Sequence, residues 1–475
     1  MTKTLYWYDL ETTGTDSIMD RAIQFAGVRT DLDLNEIGSP QNFLGVPGTD
    51  VLPQPEALLV TGISLAEVEE KGLRERAFTE KVLEQFSRPQ TCVAGFNSIK
   101  FDDEFVRQML YRNFHDPYAR EWQNGNSRWD VIDLFRAAFS LRPEGFTWPK
   151  KANGLPSFKL EDMARVNGLA HIDAHDALAD VRATIEITKL LRTAQPNLYD
   201  FMFRLRDKKF VLQQLYPIRK KPFLHVSSMY SASRGCAAIV MPICQHPHNN
   251  NTIICFDLSQ QTEPLLSSSS EELDRLVFNS STKLEQNEPR IRLTMIHINR
   301  SPFVAPLGTL NDHRAEELGI DKNESEMRAT QLLGAPGLIE KIQKLYAGVE
   351  YRKSEDPDKQ LYEGGFFSDV DRNTMSKLLL ARPEDLVKFE GQFQDDRLDE
   401  MLFRFRGRNH LELFNEAESF RWKAFCSSKW SSGRVIDDIE RRVADIELGL
   451  EKSEITVMTE LRAYLDKRRA ELTEM

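Results

Sequence analysis

Two acidic residues stand two positions apart near the start of the chain. Asp9 and Glu11 lie at the end of an apolar and aromatic run that begins at Leu5, and a Thr-Thr-Gly sequence follows at residues 12–14. Alternation along a strand puts both carboxylates on one face. Two like charges at that spacing repel each other unless a cation lies between them. Because oxygen ligands favour hard cations, the pair suggests Mg²⁺ or Mn²⁺, although most such pairs are solvated strand residues.

A third acid follows another short apolar segment. Residues Thr91–Phe96 predict a buried strand, and the segment 95–102 leads from it to Asp102 and a helix that we expect from about Asp103. This position would bring a carboxylate to the end of a second strand. The alternative is that Asp102 or Asp103 only caps the helix.

A histidine and a fourth acid stand five positions apart at the start of a helix expected over Asp176–Thr193. Within a regular helix, five positions separate two side chains by about 140°, so the two could not face one site. We therefore expect His175 on the turn before the helix and Asp180 one turn inside it. The alternative for His175 is a surface residue or a helix cap.

Length and composition exclude several classes of protein. The chain has 475 residues, with 41% hydrophobic and 28% charged, which suggests roughly three domains with sizeable cores. A net charge of −11 excludes coating of nucleic acid by bulk positive charge. There is no apolar run of about 18 residues, and the N-terminal residues do not resemble a signal peptide. Five scattered cysteines without a CxxC pair favour a reducing, cytoplasmic location.

The pattern of predicted strands and helices changes twice along the chain. It predicts an α/β domain at 1–195, a β-rich domain at 197–348 and a helical domain at 355–475. The α/β segment also predicts a strand at Ala22–Val28. The middle segment predicts a small barrel or sandwich with a polar loop at His246–Asn251. Its expected strands are Phe223–Val226, Ala237–Met241, Thr252–Phe256 and Ile291–His297. In the last segment, apolar steps of three and four from Ile436 to Leu450 fit either a short coiled coil or packing on their own domain.

Cations and aromatic rings alternate in the first segment, as expected of a protein that grips a single strand by its phosphates and bases. Core packing is the alternative for each aromatic ring. The residues concerned are Arg107, Tyr118, Trp122, Arg128, Trp129, Arg136, Arg142, Trp148, Phe158 and Lys159.

Three other clusters allow two interpretations each. The basic run from Arg204 to Lys221 is either a solvated helix face or a surface for an anionic partner. The alternating run Phe403–Arg408 either touches a strand of nucleic acid or ends a helix, with Gly407 as the stop. Cys244, His246, His248 and Cys255 could bind zinc, but their spacing is not a standard one and a surface loop is favoured.

The order D-x-E, N-x(3)-F-D and H-x(4)-D in one α/β domain resembles the DEDDh 3′→5′ exonucleases. The resemblance is closer to the bacterial exonuclease I family and covers nearly the whole chain. It is carried by Tyr8–Thr12, Leu52–Pro55, Thr61–Ile63, Asn126–Asp130, Leu141–Gly145, Leu155–Phe158 and Gly365–Asp369. It implies an RNase H-like exonuclease domain with a mixed sheet flanked by helices, an SH3-like β-barrel domain and a C-terminal all-α domain, which together form a C-shaped groove for a single strand.

The resemblance also implies a mechanism. Asp9, Glu11, Asp102 and Asp180 would hold two Mg²⁺ ions, with Mn²⁺ as a substitute, and His175 would take a proton from the attacking water. Single-stranded DNA would be degraded processively to 5′-mononucleotides, in DNA repair, mismatch repair and recombination. The implied strand contacts are Glu11, Thr12, Thr61, Gly62, Ile63, Asn97, Phe101, Arg107, Tyr118, Trp122, Arg128, Arg136, Arg142, Phe158 and Lys159.

The implied partner is the acidic C-terminal tail of single-strand DNA-binding protein, which would contact Arg142, Phe201 and Lys221. Asn311 stands where a cation is expected in that pocket.

We expect a monomer without membrane contact. A nuclease-dead binding scaffold and an RNA-directed exonuclease are the alternatives. The neighbouring acids are interpreted as helix caps or solvated surface residues; they are Asp103, Glu104, Asp130 and Asp133.

Overall fold

The computed structural model describes residues 2–169, 176–279, 289–349, 353–431, 435–447, 449 and 451–473. The chain divides into two compact units. Unit 1 comprises Met1–Ser127, Ile172–Arg182 and Tyr351–Met475, and unit 2 comprises Arg128–His171 and Ala183–Glu350. Each unit therefore contains pieces that lie far apart in the sequence.

The strands and helices are numbered in chain order. The strands are β1 Thr4–Thr12, β2 Ala22–Thr30, β3 Gln41–Leu44, β4 Thr91–Gly95, β5 Ser127–Asp130, β6 Phe223–Val226, β7 Ala237–His246, β8 Asn249–Asp257, β9 Leu293–His297 and β10 Phe303–Ala305. The helices of the first half are α1 Pro55–Thr61, α2 Leu65–Lys71, α3 Glu75–Phe86, α4 Asp102–Arg112, α5 Ile132–Leu141, α6 Leu160–Val166, α7 Ala177–Ala194, α8 Pro196–Arg204 and α9 Lys208–Leu215.

The helices of the second half are α10 Glu263–Ser267, α11 Ser270–Phe278, α12 Asp312–Glu317, α13 Lys322–Gly334, α14 Leu338–Ala347, α15 Asp369–Leu380, α16 Arg397–Asn409, α17 Glu416–Ser431, α18 Ile436–Glu447 and α19 Lys452–Thr473. Short 3₁₀ turns lie at Ala119–Glu121, Gln123–Gly125, Ala232–Arg234, Leu307–Thr309, Pro357–Lys359, Pro383–Phe389 and Leu411–Leu413. None of the described helices is long and apolar enough to cross a membrane.

The sheet of unit 1 contains β1 to β4 in the order β3-β2-β1-β4. β1 is antiparallel to β2 and parallel to β4, so the sheet is mixed. Aromatic side chains of β1 and β2 pack against α3 and α4; Tyr6, Tyr8, Phe25, Phe78 and Phe86 are all buried there. The predicted strands at Leu5–Leu10, Ala22–Val28 and Thr91–Phe96 are confirmed as β1, β2 and β4.

The C-terminal helices of unit 1 pack onto its N-terminal part. Ile436, Ile439 and Val443 of α18 lie in one apolar cluster with Leu58 of α1 and Leu65 of α2. Packing on their own domain, the favoured prediction, is confirmed, since most of the buried residues of this cluster lie at 403–465, and the cluster also includes residues before 70. The last residue of the apolar pattern, Leu450, lies outside the described residues.

Unit 2 contains an antiparallel sheet in the order β10-β6-β7-β8-β9. The four strands predicted in this segment are confirmed, and β7 and β8 are longer than predicted. The expected loop at His246–Asn251 is wrong, since β7 extends to His246 and β8 begins at Asn249. Hairpin pairing of the two strands satisfies backbone groups that a longer loop would expose.

A buried ionic cluster connects distant segments of unit 1. The carboxylate of Asp50 lies 2.7 Å from Lys429 Nζ and 3.1 Å from Arg408 Nη2, and Arg408 Nη2 lies 2.6 Å from Asp358. Burial by itself would raise the pKa of Asp50, but the surrounding cations hold it well below its usual range. Arg404 joins the cluster through a 2.9 Å contact with Asp358.

For Phe403–Arg408 the interpretation as a helix end is confirmed, since Arg406 and Arg408 lie in the last turn of α16, except that Gly407 is not the stop. The run lies inside α16, which continues to Asn409, so Gly407 does not stop the helix. A Cβ at Gly407 would approach the ring of Trp422 to 2.4 Å, and close packing therefore requires glycine there. Arg404, Arg406 and Arg408 are buried and paired with carboxylates, and they do not present cations to a strand.

Candidate active site

Three carboxylates meet at one edge of the mixed sheet. One oxygen from each of Asp9, Glu11 and Asp180 lies within 4.8 Å of the others, and among the described residues these three form the group suited to a metal ion. Asp9 and Glu11 share a face of β1, as their spacing predicts. The sequence therefore placed Asp9 and Glu11 on one strand face, and their role as metal ligands stays a prediction.

The backbone of β1 is irregular where it presents these acids. Glu11 pairs with Gln24 of β2, but the next residue, Thr12, pairs with Ala22, which marks a bulge. Bulges bend a strand and redirect side chains, and they are common beside active sites. This bulge ends the regular ladder directly after Glu11.

Asp180 reaches the same edge from α7. The helix begins at Ala177, and the backbone N–H of Asp180 donates to the carbonyl of Asp176 at 3.0 Å. Asp180 thus lies one turn inside the helix, as expected. His175 falls outside the described residues, and its role as the base stays a prediction.

Asp102 occupies the first residue of α4, where the chain enters the helix after β4. Its Oδ1 accepts a hydrogen bond from the backbone N–H of Leu10 at 3.1 Å. The Asp102 carboxylate therefore lies against β1 at the residue between Asp9 and Glu11. Asp102 is not part of the 4.8 Å group, but the charge of Asp9 acts on it. Parallel strands β1 and β4 end at the same sheet edge, which explains this proximity.

The charges at this edge are costly without a cation. Burial and the charge of Asp180 raise the pKa of Asp9 to about 8. Burial, with Asp9, Asp180 and Asp176, raises the pKa of Glu11 to about 9. Burial and Asp9 also raise the pKa of Asp102 well above its usual value. Oxygen donors that repel one another at this density fit a divalent cation, which would stabilise their ionised forms.

The Thr61–Ile63 segment connects α1 to α2. Gly62 caps α1 in the left-handed conformation with φ of 63°, and Ile63 packs on the apolar cluster shared with the C-terminal helices. The backbone N–H of Gln54, just before α1, donates to the carbonyl of Thr13 at 2.7 Å. The start of α1 is therefore attached to the end of β1, next to Thr12, whose hydroxyl donates to the carbonyl of Gly14 at 2.7 Å.

The other predicted strand contacts of unit 1 differ in exposure. Asn97 is exposed, with φ of 60°, and Phe101 is half-buried against Phe105. Trp122 is 65% exposed and free to stack on a base. Arg107 is only 3% exposed, and its guanidinium pairs with Glu121 at 2.8 and 2.9 Å.

Arg107 therefore holds the 118–122 segment in place, and its guanidinium also lies 5.3 Å from the ring centre of Tyr118. The prediction that Arg107 contacts a phosphate directly has no support in this geometry. Tyr118 is half-buried, and its ring meets that of Phe366, which is 83% exposed.

Five predicted strand contacts lie in unit 2. Arg128 and Arg136 are buried; Arg128 Nη2 donates to the carbonyl of Asn299 at 3.3 Å, and Arg136 pairs with Asp133 at 2.6 Å. Phe158 packs between Phe139 and Trp148. The remaining two are the exposed Lys159, which pairs with Glu161, and the half-buried Arg142.

The residues predicted to contact a protein partner also lie in unit 2. Arg142 Nη1 donates to the carbonyl of Thr309 at 3.2 Å. Phe201 of α8 is half-buried against Phe210 and Phe303, and Lys221 is exposed. Asn311 caps α12 by accepting from the N–H of Arg314, which accounts for an amide at a position where we expected a cation.

The structure changes the interpretation of several other acids. Asp103, interpreted as a helix cap or a solvated surface residue, is 1% exposed and bonded to Tyr8 and Arg120. Asp130 caps α5 through the N–H of Ile132, as its interpretation allowed, but it is buried. Asp176 was not singled out, although it follows His175 directly in the motif and acts on Glu11.

The zinc alternative is not supported. Cys244, His246 and Cys255 are buried in β7 and β8, not in a surface loop, and they form no metal-binding group among the described residues. All five cysteines lie within the described part of the chain and are buried, and none of them is in a disulfide.

A mixed sheet that carries a buried carboxylate cluster at the end of its first strand is the architecture of a metal-dependent phosphodiester hydrolase. Family models agree. The model described as Exonuclease matches residues 6–188, the Exonuclease I SH3-like domain matches 206–348, and the Exonuclease I C-terminal domain matches 355–468.

Individual relatives extend the likeness over the whole chain. Exodeoxyribonuclease I of Escherichia coli K12 is 41% identical and covers 88% of each chain. The solved exonuclease I of Methylocaldum szegediense is 41% identical, with a TM-score of 0.93, and covers 98% of this chain and 99% of its own. The zinc-bound complex of E. coli exonuclease I with single-stranded DNA is 37% identical, with a TM-score of 0.94 over 99% and 100% of the two chains.

The chain belongs to the exonuclease I family. The predicted architecture is confirmed as an RNase H-like exonuclease domain, an SH3-like domain and an exonuclease I C-terminal domain, and the protein is an exonuclease that hydrolyses phosphodiester bonds. The domain boundaries predicted at 195, 197, 348 and 355 stay predictions.

Proposed function

We propose that this enzyme degrades single-stranded DNA from its 3′ end and releases 5′-mononucleotides. The observation that carries the proposal is the meeting of Asp9, Glu11 and Asp180 within 4.8 Å at the end of β1, with Asp102 on the adjoining helix. The E. coli relative has been solved with single-stranded DNA at the same overall fold.

The cofactor in this proposal is a pair of Mg²⁺ ions, with Mn²⁺ as a substitute. Asp9, Glu11, Asp102 and Asp180 would hold them, since all four offer carboxylate oxygens and three of them have pKa values raised by burial and by one another. When bound, such ions supply a metal-activated water and stabilise the charge of the leaving 3′ oxygen. His175 would take the proton of that water, because its usual pKa lies near neutrality.

The substrate strand would be held by backbone loops and by exposed rings near the carboxylates. Thr12 is the last residue of β1, the Thr61–Ile63 loop follows α1, whose first turn is attached to that strand end, and Trp122 offers an exposed ring to a base. Arg128, Arg136, Arg142, Phe158 and Lys159 complete the proposed contacts. Of these, the exposed Lys159 has the ammonium that is most available to a phosphate.

The direct test uses one single-stranded oligonucleotide labelled at either end, with duplex DNA and RNA of the same sequence as controls. We expect mononucleotides to appear first from the 3′-labelled DNA, and we expect full inhibition by EDTA with recovery in excess Mg²⁺. Release from the 5′ end, activity in EDTA or preference for RNA would contradict the proposal. An excess of unlabelled trap strand, added after the reaction starts, tests processivity, since a processive enzyme finishes the strand that it holds.

The proposed protein partner is the acidic C-terminal tail of single-strand DNA-binding protein, docked on unit 2 at Arg142, Phe201 and Lys221. Cations of α8 and α9 flank Phe201, among them Arg204 and Lys208, which suits an acidic peptide with an apolar end. Lys221→Glu should weaken binding of a fluorescent tail peptide, whereas Lys377→Glu on the exposed face of α15 should not. A monomeric state, a cytoplasmic location and roles in repair, mismatch repair and recombination also stay predictions.

A further inference from the structure

A buried aspartate lies directly behind the metal-binding edge. Asp103 follows Asp102 at the start of α4 and is 1% exposed. Its Oδ1 accepts a 2.8 Å hydrogen bond from the hydroxyl of Tyr8 and a 2.6 Å bond from Arg120 Nη2. Tyr8 and Arg120 are each 2% exposed. The three side chains, which we call the Asp103 triad, form one buried polar group.

Each member of the triad adjoins a functional segment. Tyr8 precedes Asp9 on β1, Asp103 follows Asp102, and Arg120 stands between Tyr118 and Trp122 in the 3₁₀ turn Ala119–Glu121. Loss of the Tyr8–Asp103 bond would therefore loosen Asp102 relative to β1, and loss of the Arg120–Asp103 bond would loosen the segment proposed to hold the strand.

The beginning of α4 needs such support. Its N-cap residue is Phe101, whose side chain has no oxygen and cannot accept from the orphan N–H groups of the first turn. Asp103 is anchored instead through its side chain, and its backbone N–H donates to the carbonyl of Ser98 at 2.8 Å. The first turn is therefore fixed by a backbone bond to Ser98 and by the two side-chain bonds of Asp103, without a side-chain cap.

Arg120 extends the connection toward the strand-binding segment. Its guanidinium carbon lies 5.0 Å from the ring centre of Phe86, and its Nη2 lies 3.9 Å from Glu121, which in turn holds Arg107. A buried ion pair adds little net stability compared with apolar packing, but it enforces one geometry on the elements that carry it.

We propose that the Asp103 triad is a positioning device that holds Asp102 against β1 in the orientation needed for divalent-metal binding, and that it ties the 118–122 segment to the metal site. The inference rests on the proposed function, and it assigns no direct contact with metal or substrate to Tyr8, Asp103 or Arg120. It predicts that loss of the Tyr8 bond weakens metal binding, while folding and binding of DNA are kept, because the bond from Arg120 still holds the 118–122 segment.

The most specific variant is Tyr8→Phe, which keeps the aromatic ring and removes the hydroxyl that donates to Asp103. Tyr6→Phe is the matched control, because Tyr6 lies two residues earlier on β1, is equally buried, and has a hydroxyl that makes no hydrogen bond with any described residue. Binding of Mn²⁺ is measured on the DNA-free protein by the loss of the free-ion electron paramagnetic resonance signal. Mononucleotide release is then followed against Mg²⁺ concentration.

We expect Tyr8→Phe to bind Mn²⁺ about 5–10-fold more weakly and to need a similarly higher Mg²⁺ concentration for half-maximal activity. Its affinity for single-stranded DNA in EDTA and its KM at saturating Mg²⁺ should stay within about twofold of wild type, and Tyr6→Phe should match wild type throughout. Wild-type Mn²⁺ affinity in Tyr8→Phe, or equal losses in the two variants, would overturn the proposal.

A second pair of variants guards against misfolding. Arg120→Lys keeps a cation near Asp103, and Arg120→Met removes it, so Lys should recover part of the metal affinity that Met loses. Equal affinities in the two would count against the triad. If wild type binds Mn²⁺ but does not cleave DNA, the proposed function fails while the Mn²⁺ comparison still tests the triad.

Discussion

At the scale of single residues, placing the proposed metal-binding acids close together costs folding free energy. Asp9 and Glu11 are removed from water and face Asp180, and burial and repulsion raise the pKa of both. Such groups destabilise a folded protein unless a counter-charge is supplied. Their retention at one sheet edge is intelligible only if a cation spends part of the catalytic cycle between them.

This repulsion leads to a prediction for Asp9→Asn. Without metal, the variant should melt about 1–2 °C above metal-free wild type, because an amide has no charge to desolvate and a gain of roughly 1 kcal/mol gives a shift of about that size in a chain of 475 residues. Mg²⁺ should raise the melting temperature of wild type but not of the variant, and cleavage should fall at least about 100-fold.

Differential scanning fluorimetry with and without EDTA, together with mononucleotide release, measures these effects. Glu84→Gln on the exposed face of α3 is the control and should resemble wild type. Binding of single-stranded DNA should persist in Asp9→Asn. Near-normal turnover in the variant would refute the assignment of Asp9.

At the scale of elements, the site depends on two parallel strands that end at one edge and on a tight passage from β4 into α4. Gly95 is the last residue of β4, and a Cβ there would lie 2.7 Å from Ser98 Cβ and 3.0 Å from the carbonyl of Tyr8. Backbone at that distance cannot give way without moving β1. Glycine at position 95 therefore allows β1, which carries Asp9, to lie close to the loop that leads to Asp102.

Gly95→Ala should accordingly damage both stability and activity. We expect the melting temperature of the variant to fall by several degrees, since overpacking typically costs about 1–3 kcal/mol, and we expect cleavage to fall by at least about tenfold. Gly334→Ala is the control, because the added methyl group would meet no atom within 4 Å. A Gly95→Ala enzyme with wild-type melting and turnover would show that the passage tolerates displacement.

At the scale of the whole molecule, unit 1 is held together by side chains that lie more than 300 positions apart. Asp50 meets Arg408 and Lys429, and Arg408 also meets Asp358. The apolar cluster of α1, α2 and α18 joins the same distant segments. The C-terminal helices are therefore part of the body that carries the carboxylates, and their loss would expose both apolar and ionic surface.

Asp358 offers a test with a defined pH dependence. Burial favours its neutral form, but Arg408 and Arg404 hold its pKa well below the usual range. Its stabilising contribution is therefore complete above its unfolded pKa, near 4, and declines as the pH falls below that value. Breaking a buried pair typically costs about 3–5 kcal/mol.

Asp358→Asn should thus lower the melting temperature by a constant amount from pH 7 to about pH 5. The difference in melting temperature between wild type and variant should become smaller below about pH 4. Thermal melts across this range measure it, with Asp369→Asn at an exposed pair as the control. A gap that widens on acidification would show that Asp358 is not the stabilising carboxylate.

The sequence by itself determined the local features of this protein. Strand alternation placed Asp9 and Glu11 on one face, helix phase placed Asp180 one turn inside α7, and three ordered motifs indicated the family. These features depend on neighbours within a few positions and on spacing that a single chain displays directly.

Only the tertiary structure decided which charged residues are buried. Arg404 and Arg408 resemble surface cations in the sequence and are internal, Asp103 resembles a cap and is the centre of a buried triad, and Arg107 holds the 118–122 segment. Each outcome depends on a partner far away along the chain, such as Asp50 for Arg408. Because burial and ion pairing are determined by long-range contacts, a local sequence pattern could not predict which charged residues are buried.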